Sequence, residues 1–538
     1  MKIFRIFILL TLFPSMYSYS QDWPKIYGGN TNNWCWDLKE SYDKGYIIDV
    51  QVDPGTSVPQ MYAWIIKTDI NGIPLWTKTV SSNLYQVAFN GPDMTSDGGF
   101  VVTGVTTKLD SENYDVIFVK FNACGEKEWC KIISTPGNDD YGIKIKKIPG
   151  GYISLVSYFQ DWITKRIWLF KLDIDGNILW EQLINQSNSY IQNSEGRDLL
   201  VLQDNNYLVT GDAYDGSPGR NYYLRPLIIK TDSNANVLWT LPFGHTNGFR
   251  GDFATFPQVN ETGFYYMAAR HFRYSSPYGD SPCFLKVSPT GDEVYYYDLI
   301  SNSIYGGSTT LNLKNNDTLF ISAGWTDINN IKNIGIFKSD TLGNITKTRI
   351  IFKNVFQQIE SSLFTYDEKY LTVGDFNPDS TTFKIYLYKF TSNLEYAPLN
   401  TQPRVYDSLC PHSIVSDTTS LDDCAVITDV YDPVKTPERF NLLVYPNPAK
   451  DKLTIDLPQF LLRKTSSGTV QINTIYHHWN SSFLEIFDIN GKLMYSREIP
   501  NHNEKVELDV SSWQEGMYVA RLVFMNEVVA KSTFIIRD

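Results

Sequence analysis

Histidine is scarce in this chain of 538 residues, which contains six. Only His245 and His271 precede residue 400, so a three-histidine zinc site is excluded from that part of the chain. No GxSxG, P-loop or HExxH stretch occurs, so the chain lacks these local signatures of hydrolases, nucleotidases and zinc proteases. These absences favour a non-enzymatic protein and leave catalysis only to a site assembled from distant residues.

Cysteine is also scarce. Six residues are too few for a disulfide-dense scaffold, and no CxxC spacing indicates a zinc site, so no metal or cofactor is predicted. Cys124 and Cys130 flank a predicted hairpin turn and are candidates for a disulfide across it. Cys410 and Cys424 are candidates for a small disulfide loop. The two cysteines without a predicted partner are Cys35 and Cys283.

Long apolar runs and basic charge are missing as well. The formal net charge is −12, which argues against a nucleic-acid partner. No run beyond the N-terminus approaches the roughly 18 apolar residues of a transmembrane helix. The N-terminus itself has Lys2 and Arg5, then an apolar run over 6–13, then small residues up to Ser20. This pattern predicts a secretory signal peptide over 1–20 and an exported, soluble chain.

What the sequence has in abundance is one repeated stretch. Its clearest copy is IIKTDINGIPLWTKTV over 65–80, and its lysine recurs roughly every 53 residues. The seven lysines are Lys67, Lys120, Lys171, Lys230, Lys286, Lys338 and Lys389. A turn rich in Asp, Asn and Gly follows each lysine, so each copy predicts a β-hairpin. A regular period of this length indicates a repeat fold.

An aromatic residue recurs nine positions after the lysine in five copies. These residues are Trp76, Trp129, Trp180, Trp239 and Tyr295. A large ring at one structural position favours packing between neighbouring repeats, and a platform for stacking sugars is the alternative.

Two further strands precede each hairpin. The second strand opens on an aromatic or leucine, as in KGYIIDVQV (44–52) and EKYLTVGDF (368–376), and a shorter strand lies upstream. Four antiparallel strands, here A to D, repeated seven times predict an all-β fold: a seven-bladed β-propeller over 21–400. The seventh copy has Pro398 in place of the aromatic residue. We expect residues 23–28 to complete that last unit and close the ring, which removes a free sheet edge.

The composition changes after the repeats. Residues 401–439 are acidic and rich in Ser, Thr and Pro, which predicts a linker. From 440 to 538 the sequence alternates apolar and polar residues, with Asn490-Gly491 at a predicted hairpin turn. This pattern is typical of a small Ig-like β-sandwich.

The C-terminal segment resembles the type A sorting domain of the type IX secretion system, found in Bacteroidetes. The matching pieces, in order, are Tyr445-Pro446-Asn447-Pro448-Ala449, then IFDINGK with Gly491 and Lys492, then Gly516-Met517-Tyr518-Val519, and Lys531 near the end. The resemblance implies a route from the periplasm across the outer membrane, directed by residues 440–538 through the secretion machinery. It implies a secreted or outer cell-surface location in a Gram-negative bacterium.

One candidate binding patch emerges from the predicted layout. The D–A and B–C loops share one face of a propeller and vary most in length, and such loops usually carry binding. In the predicted layout these loops bring basic and aromatic residues together, although the chain as a whole is acidic. The members of the patch are Arg220, Tyr222, Tyr223, Arg225, His245, His271, Arg273, Tyr274 and Tyr278. Arginine suits carboxylate or sulfate groups, and tyrosine suits sugar faces.

Two functions follow from these observations. The first is an exported binding or adhesion protein for a surface glycan or protein ligand. The alternative is a polysaccharide-active enzyme, a lyase or hydrolase, working on the long-loop face. Paired carboxylates for glycoside hydrolysis are assigned there by loop position alone, to Asp161, Asp215 and Asp280.

Overall fold

The computed structural model of the chain divides into two compact units, residues 1–428 and 429–538. The ranges that it describes are 22–55, 61–108, 113–135, 139–159, 165–184, 191–215, 223–242, 253–273, 279–353, 357–377, 382–428, 440–456, 461–464, 470–473, 482–489, 491–499, 505–524 and 527–537. Within these ranges no helix is long and apolar enough to cross a membrane. The predicted signal peptide lies outside them.

The N-terminal unit consists of β-strands. In chain order they are β1 (Lys25–Tyr27); β2 (Asn32–Glu40), β3 (Tyr46–Asp53), β4 (Tyr62–Thr68) and β5 (Pro74–Ser81) of sheet 1; β6 (Tyr85–Met94), β7 (Phe100–Lys108), β8 (Tyr114–Phe121) and β9 (Lys127–Ile133) of sheet 2; β10 (Asp139–Ile148), β11 (Gly151–Phe159), β12 (Lys165–Asp173) and β13 (Ile178–Leu183) of sheet 3; β14 (Ile191–Val201), β15 (Tyr207–Asp215), β16 (Tyr223–Thr231) and β17 (Val237–Pro242) of sheet 4; β18 (Ala254–Val259), β19 (Tyr265–Arg273), β20 (Gly279–Val287) and β21 (Val294–Asp298) of sheet 5; β22 (Ser303–Lys314), β23 (Thr318–Asp327), β24 (Lys332–Asp340) and β25 (Ile345–Lys353) of sheet 6; β26 (Gln357–Phe364), β27 (Tyr370–Phe376) and β28 (Lys384–Phe390) of sheet 7; and β29 (Asp417–Ser420) and β30 (Ala425–Ile427).

The sheets are antiparallel meanders arranged in a propeller-like series. Strands pair in chain order within each sheet, and β1 adds to β28 so that sheet 7 also has four such strands. The first strands of consecutive sheets contact one another, and β26 in turn contacts β2. The first and last repeats are therefore neighbours, and the all-β prediction is confirmed.

The N-terminal strand joins the last repeat, as the sequence predicts. Lys25 pairs with Leu387 and Tyr27 with Ile385. The fully buried Trp23 donates its indole N–H to the carbonyl of Ala397 at 2.9 Å. Two distant parts of the chain thus share one sheet, which covers the edge of β28.

Alternation along each strand divides its side chains between the two neighbouring sheets. In β16, Leu227 and Ile229 belong to one apolar cluster with Leu169 of sheet 3. Ile228 belongs to another with Met267 of sheet 5. Both faces of the sheets are buried in this way, so the core consists of layers between the sheets.

The repeated lysines pair with a carboxylate in three sheets and lie over an aromatic ring in the other four. In sheets 1, 2 and 7 the lysine is buried and bonds the aspartate of the turn between the first two strands. The ion pairs are Lys67–Asp43 at 2.5 Å, Lys120–Asp97 at 2.9 Å and Lys389–Asp367 at 2.9 Å. In the other four sheets the ammonium lies over an aromatic ring, 4.8–6.0 Å from its centroid. Those pairs are Lys171–Trp180, Lys230–Tyr265, Lys286–Phe264 and Lys338–Phe320.

Three of the repeated tryptophans pack against the turn glycine of the next sheet. A Cβ atom on Gly125 would lie 2.7 Å from the Trp76 ring, and one on Gly176 would lie 2.7 Å from Trp129. The contact recurs between Trp239 and Gly291. Packing between repeats is therefore confirmed for these rings. At sheet 5 Tyr297, rather than the expected Tyr295, contacts the glycine of the next sheet.

The linker prediction is wrong for residues 401–428, which we call the strap. In the strap, β29 pairs in parallel with β5, and β30 pairs in parallel with β9. Asp417 also forms an ion pair with the buried Lys78 at 2.7 Å. The strap thus extends sheets 1 and 2 by one strand each, because β-pairing and ion pairs to distant residues compensate its low hydrophobicity. Residues 429–439 lie outside the described residues.

The predicted disulfide pairing is also wrong. All four cysteines are bonded, but Cys124 joins Cys410 and Cys130 joins Cys424, with Cα–Cα distances of 5.5 and 4.9 Å. The strap lies alongside β9 and the turn before it, which brings each of its cysteines opposite one of the hairpin. Both bonds therefore attach the strap to sheet 2. Cys35 and Cys283 are buried thiols.

The C-terminal unit has two main sheets. Its strands are β31 (Phe440–Asn441), β32 (Leu443–Tyr445), β33 (Lys452–Asp456), β34 (Leu461–Lys464), β35 (Val470–Asn473), β36 (Ser482–Asp488), β37 (Leu493–Ile499), β38 (Lys505–Asp509), β39 (Gly516–Phe524) and β40 (Glu527–Ile536). One sheet has the order β31-β40-β39-β36-β37, another β32-β33-β38, and β34 pairs with β35. Leu453 and Leu508 of the three-stranded sheet share one core with Ile486 and Leu522 of the five-stranded sheet.

The contact between tryptophan and turn glycine can be tested at Gly176. Gly176→Ala places a methyl group against the Trp129 ring at φ +76°, whereas Gly150 has φ +80° and open space around its would-be Cβ. Both alanine variants carry the conformational cost of a left-handed residue, about 1 kcal/mol. We expect Gly176→Ala to lose about 1–3 kcal/mol more, the usual cost of overpacking. Denaturant unfolding measures the difference, and equal losses in the two variants would contradict the packing argument.

Candidate functional site

An ion pair joins three sheets where their first strands meet. Asp37 of β2 is 1% exposed, and its carboxylate lies 2.7 Å from Lys144 Nζ of β10 and 2.8 Å from Lys39 Nζ. It also accepts hydrogen bonds from Ser361 Oγ of β26 and from the Leu38 amide. Burial by itself would raise the pKa of Asp37, but Lys144 and Lys39 outweigh it and hold the pKa well below its usual range.

Lys144 reaches this position past sheet 2. A Cβ atom on Gly91 of β6 would lie 3.2 Å from Lys144 Nζ and 3.0 Å from the Asp37 carboxylate. On its other side the ammonium lies 5.7 Å from the Phe256 ring of sheet 5. Burial opposes its charge, yet Asp37 and then Asp198 raise the pKa of Lys144 above its ordinary value. The lysine therefore stays charged and connects residues from at least four sheets.

The same kind of backbone bulge recurs in the first strands of the sheets that form this cluster. The first strand of each of the seven sheets shifts register against its second strand at about the same height. The shifts lie between Cys35 and Asp37, Phe89 and Pro92, Gly142 and Lys144, Gly196 and Asp198, Thr255 and Gln258, Ser308 and Thr310, and Ile359 and Ser361. Bulges bend a strand and re-aim its side chains, so they bring polar groups of separate repeats together.

Three carboxyl groups of sheets 1 and 7 lie near Cys35, which precedes Asp37 by two positions, and we call them the axial acids: Asp49, Glu360 and Asp375. Burial is the main cause that raises their pKa values, to about 7 for Asp49, about 8 for Glu360 and about 7 for Asp375. The charge of Asp375 raises the pKa of Glu360 further. Asp49 accepts the Gly91 amide through one oxygen at 3.3 Å, and its other oxygen has no hydrogen-bond partner among the described residues.

Chemically, the axial acids are carboxyl groups that hold a proton near neutral pH. Such groups can donate a proton or bind an oxygen acceptor, and perturbed values of this kind often mark functional sites. The same burial also suits a purely structural role, because a neutral acid costs less to bury than a carboxylate.

A second group lies on the face that carries the B–C and D–A loops, and we call it the aromatic platform. Tyr141 of β10 lies between Tyr114 of β8 and Phe159 of β11, with ring centroids 5.2 and 4.9 Å apart. Lys165 Nζ lies 4.7 Å from the Phe159 centroid and pairs with Glu195 at 2.5 Å. All three rings are partly exposed. Partly exposed rings beside paired charges suit stacking of a sugar or an aromatic side chain.

Carboxyl groups border the platform. Burial raises the pKa of Asp212 to about 6. The charge of Arg197, whose Nε lies 2.8 Å away, lowers this pKa but does not outweigh burial. Burial also raises the pKa of Asp115 to about 6. The loop face between sheets 2 and 4 therefore carries acids that titrate near neutral pH.

The structure places His271 of the predicted patch in β19. Its Nδ1 atom lies 2.8 Å from Asp298 Oδ1, and its ring lies 4.6 Å from that of Tyr296. Two positions earlier, Ala269 belongs to the apolar cluster between sheets 4 and 5. By alternation His271 lies on the side of sheet 5 that faces sheet 4.

Arg225 of the predicted patch lies in β16 and is 1% exposed. Leu227, two positions later, packs toward sheet 3, so Arg225 lies on that side of sheet 4. Sheet 4 therefore separates Arg225 from the side of sheet 5 that carries His271, and the structure does not bring these two residues together.

The other members of the patch are described only in part. Tyr223 and Arg273 lie in β16 and β19. Arg220, Tyr222, His245, Tyr274 and Tyr278 lie outside the described residues, so the patch as a whole stays a prediction. Asp161 also lies outside them. Asp215 ends β15, and Asp280 pairs with Arg270 at 3.5 Å.

Sequence reasoning missed both the axial acids and the platform. A usable signal was present for the acids, because Asp49 and Asp375 interrupt otherwise apolar strands, YIIDVQV and YLTVGDF. A charged residue in a strand that is buried on both faces must have a partner or a raised pKa. The platform gave no such signal, since its rings come from three separate strands with no shared spacing.

The sorting motif forms a structural junction in the C-terminal unit. Asn447 accepts the Ile535 amide at 2.9 Å, and the Ala449 amide donates to the Ile535 carbonyl at 2.8 Å. The hydroxyl of Tyr445 accepts a hydrogen bond from Lys505 at 2.9 Å. The segment with Pro446 and Pro448 is thereby fixed to the last strand.

The other motif residues support the same unit. Gly491 has φ +79° in the turn before β37, and the Lys492 amide donates to the Asp488 carboxylate at 2.9 Å. Gly516 opens β39, and Tyr518 stacks on Phe534 with centroids 5.6 Å apart.

Residues 443–537 match the family described as secretion system C-terminal sorting domain. The C-terminal unit is therefore a type IX sorting domain of the kind found in Bacteroidetes. The chain is a protein that the type IX machinery secretes to the outer cell surface or the extracellular space. No curated protein matches the chain.

Several solved structures are similar to the chain at low identity. A protein of unknown function from Dyadobacter fermentans is 9% identical with a TM-score of 0.42, over 68% of this chain and 97% of its own. A polysaccharide lyase of family PL25, an ulvan lyase bound to -[GlcA(1-4)Rha3S]-, is 10% identical with a TM-score of 0.46, over 68% and 96%. The neuraminidase-like protein N11 of a bat influenza A virus is 11% identical with a TM-score of 0.35, over 61% and 91%.

The ion pair can be tested with Lys144→Met. This change leaves the buried Asp37 carboxylate with Lys39 alone, and breaking a buried pair typically costs about 3–5 kcal/mol. We expect a loss near the lower end, about 3 kcal/mol, in urea unfolding. The control is Lys147→Met in the same strand, because the Lys147 side chain is exposed. A loss for Lys144→Met as small as that of the control would contradict the proposed connection.

The raised pKa of Asp375 predicts a pH dependence. A carboxyl group with a folded pKa of about 7 stabilises the fold below its unfolded pKa of about 4, and this contribution is lost as pH rises through about 7. Asp375→Asn mimics the protonated form. We expect its stability relative to the parent to rise by about 2–3 kcal/mol between pH 5 and pH 8.5. Thermal melts across this range measure it, with the exposed Asp175→Asn as control, and a pH-independent difference would contradict the assignment.

Proposed function

We propose that the N-terminal unit is a closed seven-bladed β-propeller and that the C-terminal unit is an Ig-like β-sandwich. Seven antiparallel sheets whose first strands contact in sequence, with β26 next to β2, support the first statement. Two sheets around one core support the second.

The propeller is a binding or adhesion module that the sorting domain delivers to the cell surface or the medium. Its ligand is a surface glycan or a protein, bound on the loop face. The observation that carries this proposal is the aromatic platform, in which three partly exposed rings and Lys165 lie where the loops begin. Sugar rings stack on such aromatic faces, and rigid sheets below hold the rings in place.

The inner charges fit this proposal because they bind one another. Asp37 is saturated by Lys39, Lys144 and Ser361. A carboxylate held this way stiffens the ring and has little capacity left for a substrate.

A glycan array with the purified full-length mature chain tests the proposal. The strap must be kept, because its disulfides attach it to sheet 2. We expect saturable binding that falls at least about tenfold in Tyr141→Ala, as typical for loss of a stacking hot spot. His271→Ala tests the patch predicted from the sequence, and Tyr366→Ala is the control, since Tyr366 is an exposed ring on the opposite, A–B turn face. Binding that neither Tyr141→Ala nor His271→Ala weakens would contradict a site on the loop face.

The alternative function is a polysaccharide-active enzyme, a lyase or a hydrolase. The observation that favours it is the pair Glu360 and Asp375, whose pKa values of about 8 and 7 keep a proton available near neutral pH. The same glycans are therefore checked for new reducing ends and unsaturated uronates after incubation. Cleavage that disappears in Glu360→Gln or Asp375→Asn would replace the binding proposal with the enzyme.

A further inference from the structure

The first disulfide of the strap lies within a set of metal-ligand side chains. Cys124 and Cys410 are each followed two residues later by a second potential ligand, Glu126 and His412. The ligand atoms of Cys124, Glu126 and His412 lie within 4.8 Å of one another, and Cys410 is bonded to Cys124. Two thiolates, one imidazole and one carboxylate are a donor set that zinc accepts.

The geometry of the imidazole and the carboxylate fits a tetrahedral ion. His412 Nε2 lies 3.2 Å from Glu126 Oε1. Two ligands each about 2.0 Å from a tetrahedral zinc ion are separated by roughly 3.3 Å. The two atoms are therefore already at the separation that zinc requires, and only the cysteine sulfurs have to move apart.

Hydrogen bonds orient both side chains toward the site. The Nδ1 atom of His412 contacts the carbonyl of Ser413 at 3.4 Å, which leaves Nε2 for the ion. The second carboxylate oxygen of Glu126 accepts the Asn122 side-chain amide at 2.9 Å, which leaves Oε1. Outer hydrogen bonds of this kind position metal ligands in known sites. The side chains of Glu126 and His412 are each about half exposed, so an ion can reach them. An ion pair at such an exposed position contributes little to stability by itself.

We propose that Cys124, Glu126, Cys410 and His412 bind Zn²⁺ when the disulfide is reduced. A thiol reductant converts the disulfide to two cysteine thiols and is itself oxidised to a disulfide. The two thiols release their protons to solvent as they bind the ion. The strap then has two alternative attachments at this point, a disulfide under oxidising conditions and a zinc ion under reducing conditions.

The second disulfide provides a matched comparison. Cys130 and Cys424 lie close to Asp423, but no histidine among the described residues completes that group. Asp423 is also held by an ion pair with Lys127. Three donors, one of them already paired, should bind zinc more weakly than four.

The test uses the full-length chain reduced with a phosphine, which takes up oxygen from water as it cleaves the disulfides. Co²⁺ serves as the probe, because thiolate charge-transfer bands and tetrahedral d–d bands report its ligands, and Zn²⁺ then displaces it. In the Cys130→Ser, Cys424→Ser background we expect one tetrahedral Co²⁺ per chain. His412→Ala in that background should weaken binding by more than the 10–100-fold seen for outer-shell losses.

Three controls define the result. The non-reduced chain should bind no Co²⁺ with thiolate bands, and the Cys124→Ser, Cys410→Ser background should bind it more weakly than its counterpart. Far-UV circular dichroism checks that reduction leaves the β-sheets folded. The proposal is overturned if the first background gives no thiolate band or if His412→Ala and Glu126→Gln leave its affinity unchanged. It is equally overturned if binding accompanies loss of the folded spectrum.

Discussion

A buried carboxylate has to be neutralised, and this constraint organises the centre of the N-terminal unit. Asp37 lies almost without solvent contact where the first strands of the repeats meet. It is compensated by Lys144 from two repeats away and by Ser361 from the last repeat. Removing one partner of such a pair is costly because the other remains buried and charged. The ends of the array are thus linked at the centre by polar contacts as well as at the rim by β1.

A buried charge also has to be compensated near the turns of each repeat. A lysine at the end of the third strand would be expensive to bury alone. In three sheets the turn aspartate pairs with it, and in four an aromatic ring faces it. The tryptophan of one sheet then packs on the turn glycine of the next. Sheets joined by this contact depend on one another, which explains why those copies keep Lys, Gly and Trp at fixed spacing.

Sequence reasoning succeeded where the information was local. Hairpins follow from the Asp-Asn-Gly turns and alternating strands, and the period of the lysines organises them into a repeat fold. The place of β1 follows from the missing aromatic residue at Pro398. The axial acids, the platform and the relation of Arg225 to His271 depend instead on which side of a strand each residue faces, and Glu360 lies within the bulge of β26. A one-residue shift reverses such an assignment, and no local pattern predicts where the bulge falls.

The order of the strap could not be predicted from its local sequence either. Its composition is that of a linker, and its large apolar side chains Val405, Leu409 and Val415 are 54–76% exposed. What orders it is long-range: β29 on β5, Lys78 with Asp417, and two bonds that close loops of 286 and 294 residues. The composition of a segment indicates how much apolar surface it can bury. It does not reveal whether the backbone of the segment pairs with an exposed sheet edge. Whether a polar segment next to a repeat array is ordered is therefore best judged from its cysteines and those of the repeats. A disulfide to an outer strand can order a segment that its own side chains could not order.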